Sequence, residues 1–550
     1  MKKLLSILLA MVIVLGLCAG CGGTKKPSGG NVGADGRVTL KIGVAESATV
    51  ISWEQNALTK WIEEQCNVKL EFLPYPGGTD VPSQIATTVA ARGTLPDMLW
   101  GIELGNDVAS TYGRDQYFVN LSPYLEDKEG VSKVFWDRLE SAFDEDGIAN
   151  VIRRITSPYD GNIYGLPTIE LSPTDQMTYQ LWINTEWLDA LGLSKPTNNE
   201  ELYNVLVAFM ENDCNGNGDK NDEIPLFGTQ KGGSSAKVVE WLINLFVYYD
   251  SGHRWQDYNG DGKLEFVYVQ DAYREALKYV NKLYKEGLLT KMAWTASTKE
   301  CKNITTPQSG VAKCGIFAGH LTMHIQKDSE LMYEYEPLQT WGCAVTRDYT
   351  FNYNTFITTD CANPDKAFEI MMLLYTEEGS RRLRYGEKGV NWDDADEGAV
   401  SAYGLPAAYK LISDPLGTQN AQMWSEVGCT LNYNAEGEDA QTAEEMSQWE
   451  KDKAQMHALS RKLFDEAAAA HNPTFIAPVL MTTAEEQEQF ENIRTNIYDL
   501  GAKAEVEFAT GTGGRDINND AHWNAYVKQM EDQGMYEYQD LMNKILERQK

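Results

Sequence analysis

Eleven consecutive residues, Asp213-Cys214-Asn215-Gly216-Asn217-Gly218-Asp219-Lys220-Asn221-Asp222-Glu223, carry the sharpest chemistry in the chain. Oxygen-bearing side chains stand at loop positions one, three and five, with Gly218 at six for a sharp turn. This is the first half of an EF-hand calcium loop. Calcium takes six to eight hard oxygen ligands on a bent backbone, and this spacing turns Asp213, Asn215 and Asn217 inward. Position twelve is Ile224 instead of the usual bidentate Glu, and Pro225 blocks an immediate second helix. Asp222 and Glu223 would have to close the site early, with the Asp219 carbonyl between. A solvated Asn/Asp/Gly turn accounts for the same composition. A second stretch, Asp257 to Glu265, repeats the pattern, but Tyr268 stands at its position twelve and Phe266-Val267 continue as a strand. A hairpin turn explains it equally well.

Aromatic residues are the other candidate chemistry. Fourteen Trp and 28 Tyr is a heavy load, and flat rings beside Asp, Asn and Glu suit the apolar C–H faces and hydroxyl rims of sugars. Trp53, Tyr75, Trp100, Trp182, Trp294, Trp341 and Trp392 fall at expected loop edges and are the candidate ligand contacts. Trp61 and Trp187 fall in apolar stripes at helical spacing and read as core. Catalytic constellations are absent. His320 and His324 have zincin spacing, but Leu321 occupies the place of the catalytic Glu, so they read as core or interface residues. No P-loop and no G-x-S-x-G occurs. With 80 acids, pairs of carboxylates are everywhere and point to no reaction.

The elements that must position these residues are readable near the start of the body. Val38, Leu40, Ile42 and Val44 alternate as a strand does, and Trp53, Ala57, Leu58, Trp61 and Ile62 fall at helical spacing. Val68, Leu70 and Phe72 alternate again. A helix over about 82–92 follows, stopped at Gly93, and Met98-Leu99-Trp100 is a third strand. The β-α-β-α-β order predicts a parallel, doubly wound sheet, with ligand held outside the carboxyl ends of its strands. Glu46-Ser47, Tyr75 to Gly78 and Trp100-Gly101 would converge there, with Gly101 leaving room for a ligand beside Trp100. Further on, Tyr273 to Leu288 carries one apolar stripe with Gly287 near its end. Asn363 caps a helix with Pro364 in its first turn, and Gly379 is expected to end it.

The amino terminus sets the compartment. Lys2-Lys3 and the apolar run Leu4–Leu17 form an export signal too short for a membrane span of about 20 residues. It ends in Ala19-Gly20-Cys21, which resembles a bacterial lipobox with Cys18 where Leu is usual. Cys21 would then be lipidated, and two or more acyl chains anchor a protein stably. From Gly22 to Gly36 almost nothing is apolar, so the segment reads as a flexible tether reaching about 20 Å. Formal charge is −32, or −34 once Lys2 and Lys3 leave with the signal. So acidic a chain disfavours nucleic acid, anionic lipid headgroups and polyanionic ligands. The remaining cysteines, Cys66, Cys214, Cys301, Cys314, Cys343, Cys361 and Cys429, are odd in number and scattered, which is no disulfide framework; a single Cys301–Cys314 bridge stays open.

Motifs spread along the chain resemble a known family: the extracellular solute-binding lipoproteins of bacterial carbohydrate ABC transporters, in their Firmicutes branch. They include Gly93-Thr94-Leu95-Pro96-Asp97-Met98, the run Asp160 to Pro167, Trp182 to Leu193, and Tyr273-Arg274-Glu275-Ala276-Leu277. Asn363-Pro364-Asp365-Lys366-Ala367, Tyr385 to Val390 and Trp523 to Val527 complete the order. The resemblance implies a two-lobed α/β fold of the periplasmic-binding-protein type II, each lobe a mixed sheet flanked by helices, with a hinge crossed more than once. Signal 1–20 and tether 21–36 would precede one lobe from 37–165 and about 345–410 and another from about 166–344 and 411–550. It further implies that the Asp213–Glu223 loop is a structural calcium site, with Asn221 and Asp222 both open as ligands. An oligosaccharide would be the ligand, an ABC permease the partner, and a monomer anchored on the outer face of the cell membrane the working form. A secreted polysaccharide-degrading enzyme and a peptide- or cell-wall-binding lipoprotein are the alternatives.

Overall fold

The computed structural model describes residues 32–549 apart from 34, 77–79, 172–176, 232–235, 251–253, 346–349, 416–417, 426 and 433–439. Cys21, the signal and most of the tether lie outside the described residues. The opening β-α-β-α-β unit forms as its periodicity requires: β1 (Val38–Ala45), a helix Ala57–Gln65, β2 (Val68–Tyr75), a helix Val81–Ala90 and β3 (Met98–Trp100). The first helix starts at Asn56, whose side chain accepts the Leu58 N–H at 3.1 Å. The chain then adds β4 (Gly165–Glu170), β5 (Leu181–Asn184), β6 (Ile224–Phe227), β7 (Cys314–Ala318), β8 (Tyr335–Pro337), β9 (Thr350–Ile357) and β10 (Thr430–Asn432).

These ten strands make two sheets. The first has the order β10-β4-β9-β3-β1-β2, the second β8-β5-β7-β6. In the first sheet β1, β2 and β3 are parallel, as expected, but β9 enters between β3 and β4 antiparallel to both. The sheet is therefore mixed. Local periodicity gives no sign of this, because β9 comes from about 250 residues further along the chain. β10 runs parallel to β4 with Asn432 opposite Glu170. The segment around 430, expected in the second lobe, therefore belongs to the first sheet: Trp424, Cys429 and Leu431 are buried in its core.

Helices cover both sheets. Asp271–Lys285 carries the expected apolar stripe, and Gly287 follows at φ +80°. The helix begun at Pro364 stops at Tyr375, not at Gly379. Thr376 ends it and caps the next helix, Glu377–Tyr385, its hydroxyl accepting the Gly379 N–H at 3.0 Å. Long helices Gln448–His471 and Ala484–Thr510, with Asp520–Asp532 and Met535–Gln549, complete the second lobe. A Cβ at Gly501 would overlap the Tyr268 ring, so glycine there permits the close helix approach. Among the described residues no helix is long and apolar enough to cross a membrane. All seven cysteines among the described residues are free thiols, so Cys301 and Cys314 are not bridged.

One buried acid marks the second core. Glu505 accepts the Tyr273 hydroxyl at 3.0 Å and the Tyr249 hydroxyl at 3.4 Å. Burial, reinforced by the nearby Glu240 charge, pushes its carboxyl from 4.5 up to about 7. The folded protein thus holds this proton to higher pH than the unfolded chain. Stability is full below the ordinary value and falls as pH rises through about 7, by ~3 kcal/mol in all. Glu505→Gln should flatten that stretch of the pH–stability curve in urea titrations; an unchanged slope refutes the assignment.

Candidate functional site

The topology fixes where a ligand could sit. Strands β1, β2, β3, β4 and β10 share one direction, so their carboxyl ends lie on one edge of the first sheet, beside the start of β9. In one row of that edge Thr350 and Asn432 flank Glu170; the chain leaves for the second sheet after Glu170 and comes back at Thr350. Past Asn432 it is still on the first lobe at Ala440 and Thr442, which bond Ala408 and Tyr409, before the helix Gln448–His471 enters the second lobe. Leu171 donates its N–H to the Asn432 carbonyl at 2.8 Å, and Thr178 to that of Val345 at 3.3 Å, so the crossing segments are tied side by side. In the second sheet β5 begins, and β6, β7 and β8 end, on the edge nearest the hinge. The two carboxyl edges therefore meet at the hinge.

On the first edge the loop after β1 is pinned by residues that arrive late in the chain. Asn420 gives its N–H to Thr49 O at 2.9 Å and takes that of Ile51 at 3.0 Å. Thr49 Oγ1 pairs with the hydroxyls of Ser47, at 2.9 Å, and Ser425. β9 bulges at Asn354, between Tyr353 opposite Pro167 and Thr355 opposite Leu166, and Asn354 Nδ2 donates to Thr168 Oγ1 at 3.1 Å. On the second edge Gln230 lies just past β6 and gives its N–H to the Ala293 carbonyl at 2.7 Å, beside Trp294. His320 follows β7 and packs its ring 4.7 Å from that of His457. His457 and His324 are buried, and burial holds both imidazoles neutral, His324 down to about 3. Both belong to the core, as the sequence suggested for His324.

The seven aromatic candidates are not brought together. Trp53 and Trp100 lie beneath the first edge in a buried cluster. Trp424, which the sequence did not single out, packs at a tilt with its ring 4.8 Å from that of Trp100 and 6.2 Å from that of Trp53, and donates its Nε1 to Thr59 Oγ1 at 2.9 Å. Trp100 is fully covered, so it offers no open platform. Gly101 (φ +66°) leaves room for Val427, not for a ligand: a Cβ there would lie 2.6 Å from Val427 Cγ1. Trp182 and Trp392 are likewise buried, their indole N–H groups given to the Gly319 and Gly386 carbonyls. Trp341 packs on Trp241 in the helical layer and donates to Asn199 Oδ1 at 2.7 Å. Tyr75 remains half-buried at the end of β2, its ring against Gly43, and burial raises its hydroxyl pKa.

Some of the buried polar atoms without hydrogen-bond partners lie at the two edges: Asn432 Oδ1 on the first, and Thr178 Oγ1, Gln230 Nε2 and Trp294 Nε1 on the second or at the hinge. Trp100 Nε1, also without one, is enclosed in the core beneath the first edge. Each such atom costs about 1–3 kcal/mol unless something satisfies it.

The oxygen-rich loop lies apart from these edges, between the helix Asn199–Glu211 and β6. Asp213 accepts the N–H groups of Asn217 (3.1 Å) and Gly218 (2.8 Å), and Gly216 and Gly218 take φ +68° and +92°. Asp222 faces the amides of Asn215 (3.3 Å) and Asn217 (3.0 Å) and pairs with Lys313 at 2.9 Å, while Asn221 turns to Asp219. Glu223 takes the Cys214 N–H on one oxygen and leaves Oε2 buried without a partner; burial raises its carboxyl pKa. Among the described residues no three acidic, His or Cys side chains converge as a metal cluster. A cation here would therefore draw also on amide and backbone oxygens, and the orphaned Glu223 oxygen and all-oxygen donor set suit a hard ion. In the second stretch Asp257 accepts from Gly260, Asp261 and Gly262 and spans a two-stranded hairpin, Trp255–Gln256 with Glu265–Phe266. The hairpin reading holds there.

Two sheets whose carboxyl edges meet where the chain passes between them define a two-lobed, ligand-enclosing protein. The chain belongs to the family of bacterial extracellular solute-binding proteins, whose profile matches residues 47–380. That family consists of binding proteins, not enzymes. The chain is 35% identical over 145 residues to the fructooligosaccharide ABC transporter substrate-binding protein FusA of Streptococcus pneumoniae, covering 26% of each chain. It is 24% identical over 321 residues to the polygalacturonan/rhamnogalacturonan-binding protein YtcQ of Bacillus subtilis, covering 57% of each. The matches thus span from a quarter to somewhat over half of these relatives. In fold it resembles an extracellular solute-binding protein of Bifidobacterium longum subsp. infantis, with TM-score 0.73 at 21% identity over 94% of this chain and 99% of that one.

Because Trp100 packs under Trp424 as core, Trp100→Ala should cost about 3–5 kcal/mol in urea denaturation. A loss below about 1 kcal/mol would show the ring to be peripheral.

Proposed function

We propose that this protein captures an oligosaccharide between its two lobes and delivers it to an ABC permease, working as a monomer tethered through Cys21 on the outer face of the membrane. The observation that carries this reading is the character of the orphaned atoms at the facing edges. The Trp294 indole donor, the Gln230 amide donor, the Asn432 amide acceptor and the Thr178 hydroxyl lack partners there, and none of them is charged. A neutral ligand rich in hydroxyls offers each of them a complement, whereas a charged ligand would call for a counter-charge. The acidic chain, at −32, gives no attraction to a polyanion either. FusA and a human-milk-oligosaccharide-binding protein of Bifidobacterium longum infantis, similar in fold at TM-score 0.70 and 21% identity, support the carbohydrate class by what they are named for. No constellation for a hydrolytic reaction was found in the sequence, so capture is favoured over degradation.

A thermal-shift screen of neutral oligosaccharides should find a stabilising ligand, and small-angle scattering should show a monomeric mass and compaction on adding it. Binding without compaction would remove the closing mechanism; stabilisation by acidic polymers alone would remove the neutral-sugar reading. In cells, Cys21→Ala should be shed to the medium or left unprocessed, and retention at mature mass would refute the anchor.

The Asp213–Glu223 loop is proposed to hold one calcium ion with a structural role. Asp213, Asn215, Asn217, Asp222 and Glu223 and the Asp219 carbonyl would hold it, and the ion would supply charge that satisfies Glu223 and stiffens the loop. Chelator should lower the melting temperature of the calcium-loaded protein, and Asp213→Ala should abolish that sensitivity. An unchanged melting temperature on chelation refutes the site.

A further inference from the structure

The second lobe contains a cavity of about 400 Å³ away from both carboxyl edges, in a size range that holds small ligands. Its walls come from the hairpin at Trp255, the first half of helix Ala484–Thr510, the last helix Met535–Gln549 and the extended segment 477–482. Four rings, Trp255, Phe490, Tyr498 and Tyr538, surround it, with Tyr538 centred 5.6 Å from Trp255, 6.2 Å from Phe490 and 6.5 Å from Tyr498. The Trp255 indole donates to the Tyr498 hydroxyl at 3.1 Å, which fixes two of the ring planes.

Two arginines share these walls. Arg494 holds Glu491 at 2.7 Å, yet its Nε is buried with no hydrogen-bond partner among the described residues. Arg254 lies 4.2 Å from the Tyr498 ring centre and donates its Nε to the Tyr268 hydroxyl at 3.2 Å. It makes no ion pair with any carboxylate among the described residues. The second wall acid, Glu486, is already held by Arg548 at 2.7 Å from outside the cavity. Pairing Glu491 with Arg494 and Glu486 with Arg548 leaves the Arg254 charge over. In a chain of net charge −32, an unpaired guanidinium in an aromatic cavity stands against the global field. A guanidinium of this kind takes a carboxylate through two parallel N–H groups, and the rings take an apolar ring face.

We propose that this cavity is a second binding site, separate from the interlobe cleft, for a compact ring that bears one carboxylate, whether a sugar acid or a carbocyclic acid. Arg254 receives the carboxylate, and Trp255, Phe490, Tyr498 and Tyr538 enclose the ring. Benzoate, cyclohexanecarboxylate and glucuronate, each against its neutral amide, test this on the full-length protein by saturation-transfer NMR and calorimetry. At millimolar concentration at least one acid should bind saturably and at least about tenfold more tightly than its amide. Arg254→Gln should abolish that preference, and Phe490→Trp, which fills the cavity, should abolish binding itself. Because Arg254 also bonds Tyr268, circular dichroism must show the variant folded; if it is not, Phe490→Trp carries the test. Absence of saturable binding by all three acids, equal binding of acid and amide, or binding that survives Phe490→Trp overturns the proposal.

Discussion

The register of three adjacent strands governs the rest of the molecule. Glu170 stands between Thr350 and Asn432 in one row of the first sheet; from Glu170 the chain leaves for the second sheet, and at Thr350 it comes back. Neighbouring strands lie about 4.8 Å apart, so these two crossings stand side by side. A connection that narrow resists sliding but yields to rotation about the row, which is hinge motion and not shear. Because the crossings leave from the carboxyl edge, the surfaces that approach each other on rotation are the carboxyl edges of both sheets.

That geometry explains where polarity is tolerated. A finished sheet interior buries no unpaired donors, yet here they stand at the two facing edges. Around them the packing is tight and specific: the Asn354 bulge turns one amide toward Thr168, Asn420 organises the turn that clamps the loop after β1, and Val427 fills the space over Gly101. The aromatic residues form the layer beneath. Trp53, Phe72, Trp100 and Trp424 brace the strands whose ends present the polar groups, so the rings set the position of the edge.

How much of this could be read in advance follows from sequence separation. The β-α-β-α-β opening is local, its apolar spacing unambiguous, and it formed with β1 and β2 in register from Val38 opposite Val68. β9 and β10 reach the same sheet from about 250 and 330 residues further on, and nothing in their own short patterns says where they insert. Trp100 was correctly placed at the end of β3, but its exposure depended on Trp424 and Val427, which no spacing rule connects to it. Orphaned atoms such as Asn432 Oδ1 and Gln230 Nε2 are invisible to sequence altogether, since a lone Asn or Gln carries no signal until its neighbours are known. The oxygen-rich loop was the reverse case. Its turns follow from Gly and Asx chemistry within eleven residues, and Asp222, not Asn221, came to face the loop's amides.

The same physics ties the charge of the chain to its manner of binding. A surface with a large excess of acids steers cations and repels anions over about a Debye length, but it leaves a neutral polyol alone. For such a ligand encounter is unsteered, so affinity has to be built after contact, when the lobes close and water leaves. Desolvation strengthens hydrogen bonds to uncharged donors and acceptors while adding no charge to bury. Under the proposed function, four orphaned neutral groups on facing edges are then an economical arrangement: in the open form their cost is carried by the protein, and closure on the ligand removes it. The driving force for rotation about the Thr350–Glu170–Asn432 row would come from groups that already lack partners, without any new strain in the hinge.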